Sequence, residues 1–393
     1  MDWTRQTKKQ FREALTTVYP SYDLLEMFLE EDFGERLPSI TSKTGLEVVA
    51  FALLKWADAK GRLDELYRAF CEENPDNPVT QELVQSFAQV SSPKPKATPK
   101  DTPKIRPLFE FETVRVDEQG KVIERQRKTA EYWDLDLGEG ITLTLVKVPA
   151  GQFWMGSPSD ELERDALKKI IDDYEEGPRH LVQIPEFWMG KYPVTQMQWR
   201  RVAALPKVQV DLEVDPSEFK GAQRPVEQIS WDEAREFCQR VSRFTGESVG
   251  LPSESRWEYA CRAGSDTAFA FGPTLNAEIA NYDANYTYDK GPKGKYREET
   301  TPVGQFPGNS WGLFDMHGNV LEWCDDVWFS NYDGAPTDGS ARKSSQVDRR
   351  LLRGGSWNYD PRYCRSACRN YFSRGFRVNY IGFRVCCVAP RAF

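Results

Sequence analysis

The chain has 393 residues, a net charge of -8 at pH 7 and a pI near 5.2, a length that allows two or three domains and a charge that argues against wholesale nucleic-acid binding. Mean hydropathy is -0.63 and no apolar run is long enough for a membrane span. The N-terminus, MDWTRQTKKQFREAL, has basic residues but no apolar stretch behind them, so it does not read as a signal peptide and the cytoplasm is the expected location.

Residues 1–90 read as helical. LLEMFLEEDFG, LEVVAFALLKWADAKG and LDELYRAFCEENP each repeat apolar residues at three-to-four spacing and stop at Gly or Pro. Asp64 and Glu65 suit the positive end of the third helix. Small all-helical domains offer little room for chemistry and serve protein–protein contacts. Residues 91–107, SSPKPKATPKDTPKIRP, combine prolines and lysines without an aromatic residue and read as an extended, solvated linker.

From 108 to 393 the composition shifts toward Gly, Trp and Tyr. Strands are expected to be short, with helices in WDEAREFCQRVSRFTG and SESRWEYACRAG alone. The abundance of tryptophan excludes disorder, so this part reads as an irregular α+β domain held by aromatic packing. Eight cysteines (Cys71, Cys238, Cys261, Cys324, Cys364, Cys368, Cys386, Cys387) without a CxxC pair form neither a disulfide framework nor a zinc motif. Cys386 and Cys387 are expected to pack or to sit at an edge after the last strand. Only His180 and His317 are histidines, which excludes a histidine-rich metal site.

A series of motifs runs through this third part: VPAGQFWMGS (148–157), MGKYPVTQMQW (189–199), RPVEQISWDEAREFC (224–238), LPSESRWEYACRAG (251–264), TPVGQFPGNSWGLFDMHGNVLEW (301–323), LRGGSW (352–357) and IGFRV (381–385). Together they resemble the formylglycine-generating-enzyme, or sulfatase-modifying-factor, domain. That resemblance implies a variant of the C-type lectin fold with few regular elements. YPSYDLLEMF and GRLDELYRAFCEENPDNP resemble an effector-associated domain, which implies a small helical bundle that recruits an effector protein.

Catalytic members of the family oxidise a substrate cysteine with copper(I) held between two thiolates, a soft-ligand site. In their pattern the first cysteine stands three residues after GGS and the second five further on. Here GGS is Gly354, Gly355, Ser356; the first position holds Tyr359 and the second Cys364. A phenol is a hard, high-pKa group and cannot replace a thiolate on copper(I), so no copper is expected and the chain is read as a non-enzyme. The alternative is a copper-dependent oxidase with an altered site. The resemblance also implies structural calcium, with Asn319, the Val320 carbonyl and Glu322 matching one family site. A second site would begin at Asn281, but Lys295 stands where its acid is expected.

From Asn358 to Tyr380 there is no Lys, Glu, Gln, Met or Trp, although these five types make up between a fifth and a quarter of the chain. They are the five types that no codon ending in C can encode. This resembles the variable proteins of diversity-generating retroelements, in which AAC codons of a template are copied into NNC. LRGGSW, Pro361, Cys364 to Ala367, Arg369, Arg374, Arg377 and IGFRV read as fixed scaffold, in a variable region of about 357–385. The candidate diversified, ligand-binding positions between them are Asn358, Tyr359, Asp360, Arg362, Tyr363, Cys368, Asn370, Tyr371, Phe372, Ser373, Gly375, Phe376, Val378, Asn379 and Tyr380. Tyr and Phe give rigid contact area while Ser, Asn and Gly adapt their hydrogen bonds, the mixture of antibody paratopes. Arg365, Arg369 and Arg384 are expected to pair with carboxylates such as those of DMHGNVLEWCDD. The expected partners are a protein ligand at this surface and an effector at the helical domain, with neither nucleic acid nor membrane.

Overall fold

In a computed structural model of the chain, the described residues are 5–19, 21–31, 46–60, 62–74, 77–81, 83–84, 106–161 and 175–387. The chain divides into two compact units, Met1–Lys104 and Ile105–Phe393. Most of the expected linker, residues 91–105, lies outside the described residues.

The first unit contains α1 (Arg5–Val18), α2 (Tyr22–Glu31), α3 (Leu46–Ala59) and α4 (Leu63–Glu73). The periodicity of α4 explains its seat: Leu63, Leu66, Tyr67 and Phe70 share one buried face, with Asp64 and Glu65 in the first turn. Phe11 of α1 meets the rings of Tyr67 and Phe70 edge-on at 5.3 and 5.5 Å. Leu15, Leu53 and Leu29 complete the core.

The described residues of the second unit form three sheets. Strands β1 (Leu108–Val116), β2 (Val122–Asp136), β3 (Thr142–Val148), β6 (Phe187–Gly190), β7 (Val249–Gly250) and β12 (Cys386–Cys387) form a six-stranded sheet in the order β1-β2-β3-β6-β12-β7. Strands β8 (Leu321–Val327), β9 (Arg349–Arg353), β10 (Arg369–Ser373) and β11 (Ile381–Gly382) form a second in the order β10-β9-β8-β11, and β4 (Gly151–Met155) pairs with β5 (His180–Ile184). Among the described residues three α-helices accompany them: α5 (Gln196–Ala203), α6 (Trp231–Thr245) and α7 (Glu254–Arg262).

Three expectations are corrected here. β2 runs for 15 residues, because its hairpin with β1 pairs continuously along most of its length. TQMQWRRVA forms a helix, α5, closed by a capping box in which Thr195 and Gln198 satisfy each other's backbone N–H. Cys386 and Cys387 pack as expected, but as the last strand itself and not after it or at an edge, since both residues pair with β6 and β7. Seven of the eight cysteines are buried.

Four tryptophans, Trp199, Trp231, Trp257 and Trp323, are among the largest fully buried side chains. Trp199 stacks on Phe237 of α6 at 5.7 Å, and Phe383 meets both rings edge-on. Residues 263–320 contain no helix and only isolated bridges. Their buried backbone groups find side-chain partners instead: Thr301 N donates to Asn319 Oδ1, Ala270 N to His317 Nε2, and the Tyr288 carbonyl accepts from Thr274 Oγ1. This irregular stretch and the segment 357–380 end on the same face of the second unit, where Asp283 N donates to the Tyr359 carbonyl at 2.9 Å.

Candidate ligand-binding site

Burial divides the segment 358–380 close to the line between scaffold residues and the candidate positions between them. Of the eight residues read as scaffold, Pro361, Cys364, Arg365, Ser366, Ala367 and Arg369 are buried, and only Arg374 and Arg377 are exposed. Of the fifteen candidate ligand-binding residues, thirteen are partly or fully exposed; Cys368 and Asn370 are the buried pair. Local structure produces this division. Asp360 caps a short 3-10 turn over Pro361–Cys364 by accepting from Arg362 N at 3.0 Å. Asn370 to Phe372 then continue in β10, paired with Leu352 to Arg350 of β9.

Beneath the surface lies a lattice of buried ion pairs. Arg365 bonds Glu176 at 2.7 Å and Glu161 at 2.6 Å, Arg369 bonds Glu254 at 2.6 Å, and Arg384 bonds Glu322 at 2.7 Å. Arg353 pairs with Glu258 and donates to the carbonyls of Ser366, Ala367 and Cys368, so it fixes the backbone of the segment directly. Arg384 alone uses a carboxylate of DMHGNVLEWCDD. The partners of Arg365 and Arg369 are instead Glu161 and Glu176, and Glu254 of α7.

Above the lattice is a cleft of about 750 Å³, lined by Asp283, Tyr286, Asn358, Tyr359, Asp360, Arg362, Tyr363, Asn370, Tyr371 and Phe372, a size that suits a small molecule or a side chain of a larger partner. Eight of these ten belong to the fifteen candidate positions. Tyr359 contacts the rings of Tyr363 and Tyr380 at 5.7 and 5.6 Å, and its hydroxyl accepts from Asn370 Nδ2 at 3.3 Å. Burial and the neighbouring Tyr380 push its pKa up, so the phenol stays protonated. Tyr371 packs on Trp328 at 4.6 Å. Asp283 and Tyr286 escape a reading based on codon-compatible composition because they lie outside 357–385. Their only sequence signal is the Asn- and Tyr-rich run NYDANYTYD.

The remaining candidates fall elsewhere. Ser373, Gly375 and Phe376 form an exposed loop in which Phe376 stacks on Phe372 at 4.3 Å. Val378, Asn379 and Tyr380 are half-buried, and Asn379 donates to Glu218 at 3.0 Å. Cys368 is corrected: its side chain packs in a core cluster with Trp257 and Leu351, and its carbonyl is held by Arg353 from within the core.

The residues do not fit copper(I). Tyr359 stands at the first ligand position, and Cys364 is fully buried with its thiol pushed up by burial and by Cys368. Gly355 packs so closely on the Cys364 sulfur that a side chain there would strike it. Nor does the Asn319, Val320, Glu322 trio fit calcium. Both oxygens of fully buried Glu322 accept from Arg384, one also from Trp257 Nε1, while Asn319 Oδ1 accepts from Thr301 N at 2.8 Å. At the second site Asn281 Oδ1 is buried without a partner, but Lys295 still replaces the acid. Among the described residues no group of three or more His, Cys, Asp or Glu is placed to hold a metal.

Comparison with known proteins agrees with this architecture. The chain is 25% identical over 291 residues to the formylglycine-generating enzyme of Mus musculus, covering 61% of this chain and 74% of that one. The structure of PvdO from Pseudomonas aeruginosa is similar at a TM-score of 0.54 with 29% identity, covering 65% of this chain and 98% of that one. Treponema denticola variable protein 1 has the same fold at a TM-score of 0.52 and 22% identity, covering 66% of this chain and 99% of that one. Residues 1–88 match effector-associated domain 1. Residues 141–389 match the sulfatase-modifying factor enzyme 1-like domain, and the chain belongs to that family.

Proposed function

We propose that the chain is a non-catalytic recognition protein whose tyrosine-lined cleft binds a protein ligand through diversified positions, and whose N-terminal domain passes that event to an effector protein. One observation carries the reading. Eight of the fifteen candidate positions, those left between scaffold residues in the codon-compatible segment, are eight of the ten residues that line the cleft, and codon compatibility contains no information about cavities. Rigid phenol rings and adaptable Asn side chains give contact area at low entropic cost. The buried ion-pair lattice supports it too, since it anchors the scaffold residues independently of what the surface positions carry. Similarity to a solved protein named a variable protein favours the same view. Among the described residues no helix is long and apolar enough to cross a membrane, and with the acidic net charge this favours a cytoplasmic protein that does not bind nucleic acid.

Sequencing of the DNA around the coding region tests diversification. A near-copy of the segment for Asn358 to Tyr380, differing at adenines and lying beside a reverse transcriptase gene, is the expected finding; no such copy would overturn it. The oxidase alternative has its own test. Copper(I) titration is expected to give the same weak binding in the native chain and in Cys364→Ala. Tight stoichiometric binding lost in Cys364→Ala would restore the oxidase.

A further inference from the structure

The cleft has two walls of different origin. One is made of positions from the segment 358–372, the other of Asp283 and Tyr286, which lie far outside it. On the reading above, the first wall changes between variants and the second does not. We infer that Asp283 and Tyr286 form a constant anchor that takes a guanidinium group, so that an arginine side chain of the protein partner is the feature each variant recognises.

The electrostatics of the cleft point this way. Its other charges cancel locally, because Asp360 and Arg362 pair at 3.1 Å. Asp283 is half-buried, and its Oδ1 accepts only from Asn285 N at 3.1 Å. Among the described residues no donor occupies Oδ2 and no cation lies within ion-pair distance of the group. A carboxylate oxygen therefore faces the cleft uncompensated. Beside it Tyr286 is 54% exposed, an unusual exposure for an aromatic ring in this unit. Carboxylate plus exposed phenol faces match the chemistry of arginine, whose planar guanidinium stacks on rings and takes up carboxylate oxygens along its edge.

The anchor's placement is also independent of the variable side chains. Asp283 is positioned through its backbone, N–H to the Tyr359 carbonyl at 2.9 Å, and Tyr286 N in turn donates to the Asp283 carbonyl at 3.3 Å. Every residue type at position 359 keeps that carbonyl. A substitution there alters the facing wall and leaves the carboxylate where it is.

Titration of the full chain with N-acetyl-arginine amide tests this, followed by backbone amide shifts. Saturable shifts at residues 283–286 and 358–372 are expected, with a dissociation constant on the order of 1 mM. The neutral isostere N-acetyl-citrulline amide is expected not to bind, and N-acetyl-lysine amide to bind more weakly. Asp283→Asn, which retains an oxygen for Asn285 N, should weaken arginine amide about fivefold, as should Tyr286→Leu at an exposed site. Equal binding of citrulline and arginine amides, no loss in Asp283→Asn, or shifts outside the cleft would each overturn the anchor. Failure of the recognition reading is separable: a library randomised at the exposed candidate positions that yields no binders, beside intact arginine binding, removes diversification and leaves the anchor.

Discussion

Arg369 is enclosed with its guanidinium on Glu254, while Phe376, in the same segment, is 38% exposed. Removing a buried charge leaves its partner uncompensated, whereas truncating an exposed ring removes little buried area. Arg369→Ala is therefore expected to lower unfolding free energy by about 3–5 kcal/mol, and Phe376→Ser by no more than about 0.5 kcal/mol. Urea denaturation with fitted midpoints separates the two; similar losses would erase the division between scaffold and surface. Glu227 makes a second prediction at this scale. It is fully buried, its Oε1 accepts from Phe219 N at 3.0 Å, and Oε2 has no partner. Burial raises its pKa from 4.5 to about 8, against the lowering effect of the backbone N–H groups of Phe219 and Glu218. A carboxyl raised in the folded state binds its proton more tightly there than when unfolded. Its contribution to stability is thus full below pH 4.5 and is lost as pH rises through about 8. Glu227→Gln should flatten stability over that window, read as urea midpoints at pH 5 to 9, and an unchanged slope would show that Glu227 is not the titrating group.

At the scale of elements, the loop between β10 and β11 depends on α6. Asp232 and Glu233 occupy the first turn of α6, where the helix dipole favours acids. Glu233 also closes the capping box with Ser230. The same two carboxylates hold Arg374 and, at 3.0 Å, Arg377. The exposed scaffold arginines are therefore clamps that set the loop's course while Ser373, Gly375 and Phe376 between them face solvent. Both arginines are exposed, although Glu233 is buried, so the double variant Arg374→Ala/Arg377→Ala should cost at most about 2 kcal/mol globally. Its distinguishing effect should be local: hydrogen exchange at Phe376 N, bonded to the Ser373 carbonyl at 2.9 Å, should accelerate while exchange in α6 does not. Unchanged exchange at Phe376 would mean that the loop is held by other contacts. The clamp was not readable from sequence, since an arginine's partner 140 or so residues away leaves no local pattern. The capping box of α6 is by contrast a local pattern, as Ser230 and Glu233 stand three apart before an apolar run.

Across the whole molecule, the two compact units each own a hydrophobic core. Calorimetry of the full chain is expected to resolve two transitions, the second persisting when residues 1–104 are removed; a single transition abolished by that truncation would show one cooperative unit. Local rules acting on the sequence determined a good deal here. Periodicity marked α2, α3 and α4 of the first unit but not α1; Gly, Trp and Tyr content marked an irregular aromatic fold, and the five excluded residue types marked the segment 358–380. The missing thiolate at Tyr359 was equally legible, because the pattern is one of spacing. Tertiary structure decided what depends on distant partners. It placed Cys386 and Cys387 inside a sheet, turned Cys368 into the core, and gave Glu322 to Arg384 rather than leaving it for calcium. It also brought Asp283 and Tyr286 to the cleft. The physical reason is the same in each case: burial, ion pairing and cavity shape arise from chain segments that meet only after folding, whereas codon restriction and helical periodicity act along the chain itself.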